Sequence, residues 1–459
     1  MNQDKMSPLE MRASVGLAGI FGLRMLGMFL ILPVFAIYAA TLPGGAANPT
    51  LIGIALGAYG LTQALLQLPF GIASDHFGRK RVMYLGLILF AIGSFVAAGA
   101  HDIYMIIFGR SIQGAGAISA AITALTADLT REEHRTKAMA MIGMTIGITF
   151  SASLALGPAL YNLIGIPGIF AMTGVLAIVA MGVVKWVVPD PQISRFHSDA
   201  EAVPGKLMDV LRDTQLTRLN FGIFALHAAQ MSMFLVVPFA LKQTGGIDEQ
   251  HHWQIYLPIM LLSFALMVPA IIYGEKKAKL KQVFIGAITL MLAAQLAFAF
   301  SMQHFWGIVL ALGAYFVAFN ILEASLPSMI SKIAPAASKG TAMGVYNTAQ
   351  SLGLFTGGAL GGYLAHYHGY PSVFLFGGTL MAAWLVLALG LKPPPAVKSK
   401  MFHVREMTAD EALQLSRSLA AVSGVTEAVV IAQEGVAYLK VEQRGWDESG
   451  VMKLIEGAA

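Results

Sequence analysis

The sequence predicts an all-α membrane protein of twelve apolar helices in two six-helix halves, followed by a small α+β domain at the carboxyl end. Three observations carry that prediction. Of 459 residues, 56% are hydrophobic and only 12% are charged, whereas a soluble domain uses about 25% charged residues to cover its surface. The basic residues fall in short clusters between long apolar runs. The composition then changes abruptly at Lys392-Pro-Pro-Pro395.

A net charge of +5 arranged in this way sets topology rather than gripping a nucleic acid, so no nucleic-acid partner is expected. With no cysteine, the chain forms neither disulfides nor thiolate metal sites, and no cofactor or metal is expected.

A hydrocarbon core of about 30 Å needs about 20 apolar residues per helix. Residues 13–74 contain one charge, Arg24, and break at Pro43-Gly44-Gly45, which makes spans one and two. The run from Val15 to about Ala40 is too long for a signal-peptide core and reads as a retained span. Residues 82–100 and 103–127 give spans three and four, the latter with Arg110 inside. Residues 138–184 carry no charge and divide at Gly165-Ile166-Pro167-Gly168 into spans five and six. Residues 219–241 and 253–274 are spans seven and eight, 282–331 divide near His304, and 340–391 divide near Tyr370-Pro371. The expected organisation is a first half over 1–188, a linker over 189–218 with an amphipathic helix at 206–216, and a second half over 219–391. A linker over 392–400 and a soluble domain over 401–459 complete it.

Loops after even-numbered spans hold sixteen Lys and Arg, from Arg79-Lys80-Arg81 to Lys332 and Lys339, against Lys242 alone on the other side. That asymmetry places both termini in the cytoplasm. The order of features also repeats. Aligning Pro69 with Pro269 brings Asp75 over Glu275 and Arg79-Lys80-Arg81 over the cluster 279–281, and Ala138-Met139 falls on Ala342-Met343 at a slightly larger offset. A duplicated six-helix unit places a substrate site at the interface of the halves, near mid-membrane.

The loop after span two reads Gly71-Ile-Ala-Ser-Asp75-His-Phe-Gly78-Arg79-Lys80-Arg81. A small residue at Gly71 admits a neighbouring helix, Asp75 offers a carboxylate at the membrane surface, and Gly78 permits the turn that presents Arg79. Span four carries Arg110-Ser-Ile-Gln113-Gly114-Ala-Gly116 and ends at Asp128, and span five carries Ser153-Leu-Ala-Leu-Gly157-Pro158. With these motifs the chain resembles the major facilitator superfamily over roughly residues 13–391, most closely its twelve-span drug:proton antiporters. The antiporter motif of span five is incomplete, because Ser153 stands at its first glycine and residues 159–162 lack a closing glycine pair. The resemblance implies a rocker-switch secondary transporter in a bacterial inner membrane. It further implies that Asp75 and Arg79 join Asp128 as a latch of the outward-open state, with Gly71 the contact for span eleven.

Arg24, Arg110 and Glu323 are formal charges well inside the spans, each disfavoured there by about 2.5–3.5 kcal/mol, so function is the default reading. Counted from the helix ends, Arg24, His227 and Glu323 fall at one depth near mid-membrane. Glu323 is the one acid there and His227 the one neutral base, which points to a proton-coupling pair. The bland alternative ties Glu323 to Asn320 or to backbone and leaves His227 as packing; Arg24 reads as a structural tie, and Arg110 as orienting span four. Met25, Met28, Phe29, Met231, Phe234 and Tyr346 would suit an adaptable apolar cavity, although most such residues pack or face lipid.

Residues 401–459 hold five basic and nine acidic residues. Strands at 402–404, 427–432 and 436–442, with a turn at Glu434-Gly435, and helices at 409–422 and 448–455 give the order βαββα. That order looks like a ferredoxin-like module lacking its last strand, and it resembles the subgroup of exporters that append such a domain. Without C-x-x-C it is not expected to bind copper; it could take a regulatory ligand, dimerise or merely stabilise.

Phosphate-loop, zinc-protease and nucleophile-elbow motifs are absent, so an enzyme is not expected. Proton-coupled export of small lipophilic or drug-like compounds leads, driven by the proton gradient. Uptake of a nutrient and a membrane sensor that uses the tail remain the alternatives.

Overall fold

The computed structural model describes residues 6–191, 204–335, 338–393, 397–405, 407–432, 435–442 and 445–456. Linker residues 192–203, Arg195 among them, and Glu434 of the expected tail turn lie outside the described residues. Ten helices among those described are long and apolar enough to cross a membrane. One of them, Glu132–Trp186, contains both span five and span six. Span eleven, Lys339–His368, is glycine-rich but has 30 residues, about 45 Å of helix.

Span one is Pro8–Phe29 continued by Leu32–Ala39, span two Pro49–Phe77, span three Arg79–Ala98, and span four Ile103–Ala115 continued by Ser119–Leu129. Spans seven to ten are Thr214–Gln243, Trp253–Lys276, Leu280–Ser301 and Phe305–Ile333, and span twelve is Tyr370–Leu389.

Spans one and four, expected as single helices, are interrupted. Pro33 near the start of the second segment of span one lacks a backbone donor, which favours a break there. Span four breaks at Gly116 (φ −74°, ψ 54°). Each break lies against a glycine contact: Gly157 of span five sits against the Leu30 carbonyl, and Gly116 against the Gly86 carbonyl of span three. Any Cβ at either glycine would overlap those carbonyls.

Spans five and six are joined without a loop, the reversal being made at Gly165 (φ 66°). Span one shows the reversal directly. Its Gly22 and Leu30 lie beside Thr145 and Gly157 of span five, while its Gly16 and Gly27 lie beside Val187 and Thr173 of span six, in the opposite sense. The linker helix is shorter than expected: Leu207–Arg212 ends at Asp213, which turns extended and caps span seven by accepting from the amides of Gln215 and Leu216. At the end of the bundle that carries the basic loops, Arg131 is held to the buried Glu10 by its amide at 2.8 Å and its guanidinium at 3.0 Å.

The tail is a three-stranded antiparallel sheet in the order β1-β3-β2, with β1 Val397–His403, β2 Val425–Ile431 and β3 Val436–Glu442. Strand β1 begins inside the stretch expected to be linker, so the domain starts before residue 401. Helices Ala409–Ala420 and Glu448–Glu456 bury Leu419, Val451 and Ile455 against Leu439 and Val441 of the sheet. The tail also meets the membrane part. Lys440 on β3, paired with Glu427 at 2.8 Å, donates to the Ala334 carbonyl that follows span ten at 2.7 Å. A cation there also complements the negative end of the helix dipole. Residues of β1 come within 8 Å, Cα to Cα, of the span five–six helix.

Candidate functional site

A polar group lies among spans seven, ten and eleven. His227 of span seven and Glu323 of span ten approach to 3.8 Å, Nε2 to Oε2. The Glu323 side chain keeps 31% exposure, but Oε2 itself is covered and lacks a hydrogen-bond partner among the described residues. The other ring nitrogen of His227, Nδ1, lies 3.2 Å from the Ile223 carbonyl one turn back, and Gln350 of span eleven reaches Nε2 with its amide nitrogen at 2.8 Å. Asn320 does not hold Glu323; it donates instead to Ser263 of span eight at 2.7 Å. The Phe319 ring lies 5.9 Å from the imidazole and belongs to an aromatic run with Phe150 and Tyr315.

Arg24 and Arg110 have partners in the first half. Arg24 donates to Ser119 at 3.2 Å and Gln63 at 3.5 Å, with the Tyr59 ring 5.7 Å away. Arg110 grips the carbonyls of Ala55 at 3.4 Å and Leu56 at 3.1 Å together with the side chain of Gln113, which in turn donates to Ser94. This ties span four to spans two and three, assisted by Gly114, whose missing Cβ admits the Tyr59 carbonyl. Gly157 of span five packs against Leu30 and Pro33 of span one, and Ser153 one turn earlier is fully buried. Met25, Met28, Phe29, Met231, Phe234 and Tyr346 are all buried inside the protein.

At the basic end, Gly78 (φ 94°) makes the junction that lets Arg79 turn back. Arg79 is buried and forms an ion pair with Asp75, donates to Ser74 at 3.0 Å, and places Nε 3.5 Å from Asp128, whose side chain is fully buried. In the second half the corresponding acid, Glu275, takes Lys332 at the end of span ten at 2.6 Å. The repeat thus keeps an ion pair in each half but reverses the charge at the end of the fourth span of the half, Asp128 in one and Lys332 in the other.

Spans two and eleven show where the halves meet. A Cβ on Gly57 would lie 2.9 Å from the Phe355 Cα, one on Gly362 3.0 Å from the Thr50 Cα, and Gly53 and Gly358 face each other through their carbonyls. Thr50 and His366 add a hydrogen bond of 3.3 Å across the same seam. At the opposite end of span two, a Cβ on Gly71 would meet, among the described residues outside its own helix turn, only the Ala120 Cβ at 3.5 Å in its own half. In this conformation Gly71 therefore does not touch span eleven. The halves are closed at the end away from the basic loops.

The family model of the Major Facilitator Superfamily matches residues 17–281 and 273–452. The chain is 44% identical to the inner membrane transport protein YajR of Escherichia coli over 97% of each chain. It belongs to the major facilitator superfamily. This transporter is also 26% identical to the multidrug resistance protein MdtH of Aeromonas salmonicida, over 80% of this chain and 89% of that one. Its fold matches the inward-facing, occupied structure of a bacterial homologue of the human lysosomal transporter Spinster, with a TM-score of 0.66 at 14% identity, covering 83% of this chain and 97% of the other.

The sequence shows a glycine face on span eleven, Gly353-Leu-Phe-Thr-Gly357-Gly358-Ala-Leu-Gly361-Gly362, but sequence reasoning does not reach Gln350, Ser263 or the matching glycines of span two. The available signals were a glutamine within span eleven and the recurrence of Gly53, Gly57 and Gly60 at about one per turn.

Proposed function

We propose that this transporter exports small lipophilic, drug-like compounds in exchange for protons by alternating access, with the basic face in the cytoplasm. The observation that carries the reading is the Glu323–His227 pair, 3.8 Å apart, with the Glu323 side chain 31% exposed and no fixed counter-charge on the carboxylate oxygen. A low dielectric disfavours the charged carboxylate, so the group exchanges a proton when its surroundings change. Under this orientation the seam of spans two and eleven closes the periplasmic side, and the site opens inward. The Asp75–Arg79–Asp128 cluster acts as the latch: in the outward-open state the end of span eleven comes down on Gly71 and completes it. The multidrug name of the MdtH relative supports the substrate class.

The test is flux of a fluorescent lipophilic cation in proteoliposomes under an imposed pH gradient. Unaltered protein concentrates the dye against its gradient, and Glu323→Gln, which mimics the protonated carboxyl, binds the dye but loses pH-driven accumulation. Accumulation by that variant at the unaltered rate sends the proton elsewhere.

A further inference from the structure

The hydrogen bonds around His227 determine which of its nitrogens carries the proton. A carbonyl oxygen only accepts, so the contact from Nδ1 to the Ile223 carbonyl places the hydrogen of a neutral imidazole on Nδ1. The lone pair is then on Nε2. Two groups compete for it: the amide nitrogen of Gln350 at 2.8 Å, which donates, and Oε2 of Glu323 at 3.8 Å, which has no hydrogen to give while ionised. Once Glu323 is protonated its O–H can donate to that same lone pair, and Gln350 must give way.

Gln350 sits at the start of the seam. Its neighbour Ser351 presents a carbonyl to Gly60, and Leu354, Phe355, Gly358 and Gly362 follow along span two. Among the described residues, Tyr315 of span ten and Tyr346 of span eleven are further titratable side chains within electrostatic reach of Glu323. Span eight contributes the uncharged Ser263 through Asn320, and Arg24 of span one is turned to Ser119 and Gln63.

We infer that Gln350 is a positioning residue that senses the protonation of Glu323 through the single lone pair of His227 and passes it to span eleven, the helix that closes the seam. This rests on Glu323 being the proton site. Gln350→Met keeps the volume and removes the donor, so a protonated Glu323 gains Nε2 unopposed. With one hydrogen bond at stake, the proton is then held about three- to tenfold more tightly.

The first readout is the infrared C=O band of the protonated carboxyl, titrated in the full-length protein in nanodiscs and assigned by its loss in Glu323→Gln. The second is the distance between spin labels at Ala46→Cys and Tyr367→Cys, two exposed positions on the seam side of a chain with no other cysteine. In unaltered protein the label distances redistribute over the pH range in which the band titrates. In Gln350→Met the band titrates at higher pH by half a unit to one unit, and the redistribution no longer follows it. A nitrogen-15 spectrum of labelled histidine shows the altered Nε2 environment and checks that the fold is retained. If Glu323→Gln leaves the band untouched, the proton site itself is wrong. If the band depends on Glu323 but neither its midpoint nor the label distances respond to Gln350→Met, Gln350 is merely packing and this inference alone falls.

Discussion

The two ends of span two are built on different physics. At one end its backbone lies against span eleven, Gly53 against Gly358 and Gly57 against Phe355, with no side chains between them. At the other end it finishes in charge, Asp75 on Arg79 and Arg79 on Asp128, all within its own half. A seam without Cβ atoms depends on shape and is lost by a small displacement, because dispersion falls off within an ångström. An ion-pair cluster survives such a displacement and moves as a body with its bundle. On the proposed mechanism the first half rocks without dismantling its charged end, and the seam is the two-position element.

Breaking the seam has the largest expected effect. A Cβ at Gly358 meets the Gly53 carbonyl, so Gly358→Leu forces the helices apart at a cost of about 1–3 kcal/mol for overpacking, roughly a five- to hundredfold shift against the present conformer. The distance between spin labels at Ala46→Cys and Tyr367→Cys should lengthen correspondingly. An unchanged distance would mean that spans two and eleven part elsewhere.

The charged end comes next. Asp75→Asn removes one charge and little volume, and it leaves Arg79 with Asp128 and Ser74. Insertion is retained, transport drops severalfold, and the spin-label distribution shifts further toward the present conformer. Normal turnover with an unshifted distribution makes the cluster a topology signal only.

The tail sharpens the comparison with the smallest effect. Lys440 holds the Ala334 carbonyl at the end of the span that carries Glu323, while β1 lies near the span five–six helix of the other half. Lys440→Met unpins that contact, and insertion and substrate binding persist with a change of up to about threefold in transport rate. Stopping the chain after Pro394, before β1, reproduces the change. Loss of folding on truncation shows that the tail is part of the transporter's frame, and no change in rate shows that the contact is idle.

Much of this architecture is legible in the residues. The spans follow from hydropathy, because a bilayer tests each segment separately. Arg24, Arg110, His227 and Glu323 stand out because a polar side chain in hydrocarbon demands a reason. The breaks at Leu30-Ile31 and Gly116 do not stand out. A helix interruption buried among other helices leaves no polar signature, and the glycines packed against it, Gly157 at Leu30 and Gly86 at Gly116, are remote in sequence. Asn320 is a similar case: its spacing from Glu323 suggests a partner one turn away, but its rotation about the helix axis sends it to Ser263 on another span.

By itself the sequence determined the membrane class, the repeated order of acids and basic clusters, the presence of polar residues within the spans and the βαββα order of the tail. Each of these is fixed by composition and periodicity along one chain segment. The tertiary structure alone decided which end of the halves is closed, which nitrogen of His227 faces Glu323, that Gln350 reaches the same nitrogen, and that Lys440 joins the tail to span ten. Each of these depends on how helices or strands far apart in the chain are rotated and brought within a few ångströms of one another, and a local pattern carries no information about that.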